Sequence, residues 1–392
     1  MNTVKNNLHP PNPKVCMQVL PSLRVGGLER GACDVAKAAN AAGWRSLMVS
    51  SGGPAVDEVE KYGVVHFQVP VASKSPFTMI CNILRLYQII RNESVSLVHA
   101  RSRAPAWSAY FAAKWAGVHF ITTFHGVYGF GPFKLKKAYN KIMTFGNVVI
   151  GISNFIADHI ISNYSLKRET IIVVPRGVDL EYFNPLNVSL SRVQKLKQDW
   201  GVFETQNAIM LPARLSDWKG HYLLLEAITV LRDSGDLPED FVCFMVGPGS
   251  SGSSYKDLLN RAIKKRNLVK HVYIIDNCQD IAAAYMIANI VVSASTRPEA
   301  FGRVVAEALA MECLVVAPSF GAAPEIINPI EAGFLFKPKD SMSLALCLKS
   351  ILEMKIIDRS KLLLGARKYI AKSFNNLDMT RETIRIYDQV IS

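Results

Sequence analysis

Residues 289–319 read NIVVSASTRPEAFGRVVAEALAMECLVVAPS, and this stretch decides the fold. NIVVSAS (289–295) is short and apolar on both faces, so it reads as a buried strand. A tight loop bracketed by Pro298 and Gly302 follows, and a helix begins near Arg303. CLVVAPS (313–319) is then a second buried strand. Strand, helix and strand in so short a span predict a parallel β-α-β crossover.

The same rhythm extends outward on both sides. NAIMLPA (207–213), VCFMVGP (242–248), VYIIDN (272–277) and GFLFKP (333–338) are further strands of the second half. In the first half VCMQVL (15–20) runs through PSLRVGG into the helix LERGACDVAKAANAAG, which stops at Gly43. SLMVSS, VHFQVP, SLVHAR, HFITTF, VVIGIS and TIIVVP follow, mostly with helical stretches between them. After PRGVDLEYFNP (175–185) a polar helical run carries no apolar strand, which marks a domain boundary. The prediction is an α/β chain of two doubly wound, Rossmann-like domains, 1–185 and 186–374. Ligands of such sheets sit beyond the carboxyl ends of the strands. Two sheets facing each other would place an active site in the cleft between them.

Composition agrees and narrows the class. At 392 residues, 49% hydrophobic and 20% charged, the chain can fill two cores and is not disordered. No window has the ~18 to 20 uninterrupted apolar residues of a membrane span. The first fourteen residues lack an apolar signal core, and the seven cysteines are scattered without a C-x-x-C pair. A soluble, cytoplasmic protein is expected. The net charge of +13 is uneven. Residues 1–185 hold 20 Lys+Arg against 10 Asp+Glu, a balance of +10, and residues 186–392 hold 25 against 22, a balance of +3. One half therefore faces an anionic partner: nucleic acid, a membrane or an acidic substrate.

Candidate chemistry lies at strand ends. Gly26 and Gly27 open the first helix, where free amides and the helix dipole favour an anion, although an ordinary strand–helix turn reads the same way. Arg214 and Lys219 flank ARLSDWKG (213–220), a planar fork and a mobile point charge suited to two phosphates. Glu299 lies in the loop before the Arg303 helix and Glu307 within it, carboxylates able to accept sugar or ribose hydroxyls. Apolar residues surround Glu307 in the sequence, so it should have a partner. His125 ends a strand-like run before Gly126, at a cleft position or on the surface.

On these residues the chain resembles the family 4 retaining glycosyltransferases of GT-B fold. E299-AFGRVVAE307 is similar to their E-x7-E signature. GGLERGACDVAKAANAAG, TFHG, GVDLEYFNP, ARLSDWKG and GAAPEII resemble their remaining segments in the right order over roughly 14–340. The resemblance implies two Rossmann-like domains facing across a cleft, with a C-terminal helix in 375–392 packing back toward the N-terminal domain. It implies that Arg214 and Lys219 hold the donor's diphosphate and stabilise the leaving group, and that Glu307 binds the ribose. Glu299, with the amides of Phe301 and Gly302, would hold the donor sugar. Gly26 and Gly27 would admit the phosphates, and His125 would face the sugar from the other domain. Ala322 and Ala323 depart from the usual glycine-containing turn, and GPGSSGSS (247–254) replaces a more acidic one. No D-x-D motif occurs, so no metal or other cofactor is expected beyond the nucleotide-sugar substrate.

A sugar-nucleotide epimerase on the same fold is the alternative among enzymes. A nicotinamide-dependent oxidoreductase lacks its G-x-G-x-x-G, and a nucleic-acid binder lacks any RNP-like or zinc-knuckle motif. On the acceptor side, F130-GPFKLKKAYNKIM143 interleaves Phe130 and Phe133 with Lys134, Lys136, Lys137 and Lys141. Read as a helix it has a basic face beside an apolar one, the pattern of a membrane-interface segment and equally of a core helix with a solvated face. The expectation is a peripheral enzyme on the cytoplasmic face of a membrane, with a lipid-linked glycan or lipopolysaccharide-type acceptor.

Overall fold

The two-sided apolar runs become two sheets in which every strand pair is parallel. The computed structural model describes residues 14–24, 26–131, 135–202, 207–249, 254–276, 278–330, 332–363 and 365–392. The first sheet holds β1 (Val15–Val19), β2 (Arg45–Ser50), β3 (Val65–Gln68), β4 (Leu97–Ala100), β5 (His119–Phe124), β6 (Val148–Gly151) and β7 (Ile171–Val173). Its order is β3-β2-β1-β4-β5-β6-β7. The second holds β8 (Asn207–Pro212), β9 (Phe241–Val246), β10 (Val272–Ile275), β11 (Ile290–Val292), β12 (Leu314–Pro318) and β13 (Gly333–Phe336), in the order β10-β9-β8-β11-β12-β13. Every residue of β1, β4, β11 and β12 is buried, which is why these strands read as unbroken apolar runs. In each sheet the winding reverses between two central neighbours, β1 and β4 or β8 and β11. A crevice opens at such a reversal, beyond the carboxyl ends of the strands.

The chain forms two units that are not contiguous in sequence. The first comprises residues up to Ile152, Ile156–Val174 and Asp378–Ser392; the second comprises Ser153–Phe155 and Pro175–Leu377. Residues 175–185, which the sequence reading put in the first domain, lie in the second unit. The physical cause is Arg367, whose guanidinium donates to the carbonyls of Phe183 (2.6 Å), Ala310 (2.6 Å) and Leu180 (2.9 Å). Phe183 is buried against Tyr285, with ring centroids 5.9 Å apart.

The helix Asn376–Ile391 lies, from Asp378 onward, with the first unit. Met379, Ile386 and Tyr387 join Val35, Ala39, Trp44, Leu97 and Ile121 in one buried cluster. A polar chain runs beside it. Gln18 Nε2 donates to Ala32 O (3.0 Å), and Arg101 Nε donates to Gln18 Oε1 (2.5 Å). Arg101 also bonds the Tyr387 hydroxyl. His99 lies between Tyr387 Oη and Thr123 Oγ1, at 2.7 Å from each. Each ring nitrogen of His99 therefore has a hydroxyl partner, and burial holds its pKa well below the ordinary histidine value, so the ring is neutral.

The segment 130–143 is not one amphipathic helix. Pro132, Phe133 and Lys134 lie outside the described residues; a helix Leu135–Asn140 and a 3-10 turn Lys141–Thr144 follow. Ile142 and Met143 are fully buried, Tyr139 stacks on Trp107 (6.0 Å) and Phe130 on His159 (6.3 Å). Phe130, Tyr139, Ile142 and Met143 pack within the unit, and Lys136, Lys137 and Lys141 are left exposed.

Candidate functional site

In the second unit the sequence-predicted residues gather where the winding reverses. β8 and β11 are neighbours, and the loops leaving them carry Arg214 to Lys219 and Ser295 to Gly302. The two loops touch through backbone. Thr296 N donates to Trp218 O (2.7 Å), and Gly220 sits at φ +76 so close that a β-carbon there would lie 1.8 Å from Ala294 O. Any side chain at Gly220 would force the loops apart, so glycine is required.

That approach brings Lys219 and Glu299 together. Lys219 Nζ lies 2.7 Å from Glu299 Oε1, with side chains 14% and 21% exposed, half-buried but reachable. The ammonium also lies 4.3 Å from the Trp218 ring centroid, a cation–π contact. Ser295, buried at the end of β11, donates its hydroxyl to the same Oε1. On the other side Gly321, at φ +69, lets its loop lie against Glu299, and Ala322 N donates to Glu299 O (3.0 Å). This is the alanine of the GAAP turn; its small side chain is fully buried. Glu299 is thus held by side chain and backbone together. Arg214, in the same loop as Lys219, is exposed and makes no ion pair among the described residues.

Gly302, at φ +95, turns the chain into the helix Arg303–Ala310. The Phe301 ring is buried against Phe374 (5.5 Å), and no hydrogen bond among the described residues uses the amide hydrogens of Phe301 or Gly302. Glu307 is buried and does have the partner its surroundings demand. Arg303, one turn earlier, donates from Nε (3.1 Å) and Nη2 (2.5 Å) to Glu307 Oε1, and Tyr285 Oη donates to Oε2 (3.3 Å). Burial first, then the Glu307 charge, push the Tyr285 pKa well above the ordinary phenol. The same carboxylate keeps lone pairs for further donors.

Just past the loop, His221 starts the helix His221–Asp233 and is completely buried, 3.4 Å from the Tyr255 hydroxyl. Burial lowers its pKa to about 4, so it is neutral at ordinary pH.

The first unit has a separate set of strand-end features. Gly26 is extended (φ −172) before the helix Gly27–Ala41, and Glu29 of the first turn folds over it, 2.3 Å from where a β-carbon would stand. The anion beside this helix start is therefore the chain's own carboxylate. Beyond β1 and β2 opens a groove of about 730 Å³, lined by Ser22, Arg24, Ser51, Gly52 and Gly53 among others. His125 is half-buried directly after β5.

The structure brings the expected Lys219 and Glu299 together and adds neighbours the sequence reading did not name as site residues: Ser295 beside Glu299, and Arg303 and Tyr285 beside Glu307. Arg303 had a readable signal, its i,i+4 spacing to Glu307. Tyr285 stands in an apolar run and had none.

Two Rossmann-like units with chemistry-bearing residues at the strand ends are the architecture of the GT-B fold, and similarity to known proteins identifies the chain as a glycosyltransferase. Residues 25–182 match Glycosyltransferase Family 4, and residues 192–369 match Glycosyl transferases group 1. A glycosyltransferase from Rickettsia africae ESF-5 is 36% identical, with 97% of this chain and 99% of that one covered and a TM-score of 0.88. HepE from Anabaena, solved with UDP and glucose, shares the fold at 21% identity, a TM-score of 0.81, and coverage of 96% and 100%. The GPI3 subunit of phosphatidylinositol N-acetylglucosaminyltransferase from Saccharomyces cerevisiae is 25% identical over 84% of this chain and 72% of its own length. The chain belongs to glycosyltransferase family 4.

Proposed function

We propose that this glycosyltransferase moves a sugar from a nucleoside-diphosphate donor to a hydroxyl of a lipid-linked acceptor, with retention at the anomeric carbon. The observation that carries the reading is the Lys219–Glu299–Ser295 cluster at the carboxyl ends of β8 and β11. An ammonium has three donors; Glu299 takes one and leaves two for phosphate oxygens. Lys219, with Arg214, then stabilises the charge that grows on the departing diphosphate, a task for which no metal is required. The amides of Phe301 and Gly302, at the start of the helix Arg303–Ala310, supply further donors to the donor substrate. Glu299 accepts from two neighbours already, which suits a group that orients sugar hydroxyls better than one that attacks carbon. The departing phosphate, on the same face of the sugar, takes the acceptor's proton. Glu307 accepts the ribose hydroxyls, with Arg303 compensating its buried charge. For Gly26, Gly27 and His125 of the first unit the proposal keeps the roles the resemblance implies, approach to the phosphates and recognition of the sugar.

Relatives supply the substrate classes. HepE holds UDP and glucose, and the yeast subunit belongs to a phosphatidylinositol N-acetylglucosaminyltransferase. They support a nucleotide sugar on one side and a lipid-linked acceptor on the other; lipopolysaccharide-type lipids fall in the same chemical class. Among the described residues no helix is long and apolar enough to cross a membrane, which fits an enzyme working at the cytoplasmic surface rather than through it.

A hydrolysis screen over nucleotide sugars without acceptor tests the reading. Slow release of nucleoside diphosphate from one donor, lost in Lys219→Ala, is the expected result. Conversion of a nucleotide sugar to its epimer with the diphosphate bond intact would favour the epimerase instead.

A further inference from the structure

Two helices of the first unit carry an unpartnered apolar face. The helix Pro76–Asn92 packs on the helix Arg103–Ala116, where Ser108 Oγ donates to Met79 O (3.0 Å). On the outer side Phe77, Ile80 and Leu84 stand 77%, 60% and 53% exposed. Their i, i+3, i+7 spacing puts them on one stripe. Trp115 of the neighbouring helix is 57% exposed. A helix that packs against its own sheet alone would have polar groups at these positions.

The charges around the stripe are of one sign. Neither helix contains an acidic residue, and Lys74, Arg85, Arg91 and Lys114 are exposed on or beside them. The bias is wider than the two helices. From Lys61 to Ala157 the chain has eleven Lys and Arg and a single acid, Glu93. A second copy of the chain would bring the same cations against these and be repelled. An acid-rich bilayer surface offers what both features want, hydrocarbon for the stripe and phosphate for the cations.

We propose that the face formed by the helices Pro76–Asn92 and Arg103–Ala116 docks on an anionic membrane, with Phe77, Ile80 and Leu84 entering the headgroup–acyl boundary. The proposal rests on the lipid-linked-acceptor reading above and gives it a location: the first unit lies on the surface that holds the acceptor. It also moves the membrane contact away from the segment 130–143, where Phe130, Tyr139, Ile142 and Met143 are occupied within the unit. The exposed lysines of that segment serve only as long-range attraction.

The test is flotation with vesicles of phosphatidylcholine, alone and mixed with phosphatidylglycerol, at low and high salt. Wild-type protein floats with the anionic vesicles, and less at high salt. Phe77→Ser/Ile80→Ser/Leu84→Ser lowers the partition coefficient by at least about tenfold with an unchanged melting temperature, because the three side chains are solvated in the free protein. Lys74→Gln/Arg85→Gln/Arg91→Gln removes the preference for anionic over neutral vesicles. Donor hydrolysis in solution is the same for all three proteins. A wild-type protein that ignores anionic vesicles at low salt, or a triple-serine variant that binds them equally well, overturns the proposal. So does a wild-type dimer that the serine variant breaks, since a second copy would then be the occupant. Vesicle binding without transfer to any lipid acceptor would instead sink the acceptor reading and leave this surface standing.

Discussion

Lys219 and Glu299 hold each other in place before any substrate arrives, and that sets how their loss should be felt. In the proposed mechanism the Lys219 ammonium acts mainly as the leaving group departs. In Lys219→Ala, turnover at saturating donor should fall about a hundredfold, the value of a charged hydrogen bond of about 2–3 kcal/mol. Glu307→Ala should instead raise the donor KM with a smaller change in kcat, because the ribose contact proposed for it would be the same in ground and transition states. Initial rates over a donor series separate the two, and equal effects on kcat would contradict the assigned roles. His221 makes a prediction about stability. Its pKa is lowered to about 4 by burial, while the unfolded chain titrates near the ordinary value of 6.5. Between those values the unfolded chain binds a proton that the folded one refuses. Stability is therefore complete above about pH 6.5 and declines by up to about 3 kcal/mol as pH falls to about 4. His221→Gln should flatten that acid limb in urea titrations run across the window. Lys219, Glu299 and Glu307 were legible because chemistry-bearing residues at strand ends and on an apolar helix stand out. Ser295 and Tyr285 were not, since what they do depends on a neighbour four or more residues away in a folded turn or on another element.

At the scale of elements, the strands were legible almost completely, because a buried parallel strand has no polar face to confuse its pattern. The segment 130–143 was not. Its alternation of lysines with aromatics fits a core helix and an interfacial one equally, and only Trp107 and His159, far off in sequence, decide that its rings turn inward. The exposed stripe of the helix Pro76–Asn92 hid for another reason: its apolar residues fall on more than one face, and the sequence does not say which of them the fold leaves outside. The last helix offers the sharpest test of element packing. Tyr387→Phe keeps the ring against Trp44 but leaves His99 Nδ1 and Arg101 without their shared oxygen. Stranding such groups in a dry interior costs about 1–3 kcal/mol. Urea unfolding followed by tryptophan fluorescence should show that loss, and an unchanged midpoint would mean water replaces the hydroxyl.

For the whole molecule, the charge imbalance between the halves was readable from counting alone, but its target was not. Counting cannot distinguish a basic face that meets lipid from one that meets substrate. The exposed apolar stripe is the observation on which the proposal chooses lipid. The same scale carries the metal question. Among the described residues no three His, Cys, Asp or Glu groups lie where they could hold a metal ion. On the proposal that Arg214 and Lys219 meet the diphosphate, transfer should survive EDTA within about twofold. Activity that EDTA abolishes and a divalent cation restores would assign that charge to a metal.

The first unit is completed by Asp378–Ser392, which lie beyond the entire second unit in the chain. This ordering has a consequence for biosynthesis. As the chain leaves the ribosome, the sheet β1–β7 is finished long before the helix that covers the Trp44–Leu97–Ile121 patch has been translated. At about 5–20 residues per second the roughly two hundred intervening residues keep that patch open for some ten to forty seconds. For that interval the nascent first unit exposes hydrocarbon on the side its own last helix will later close. It is a natural client for a chaperone while the second unit, uninterrupted apart from Ser153–Phe155, folds behind it.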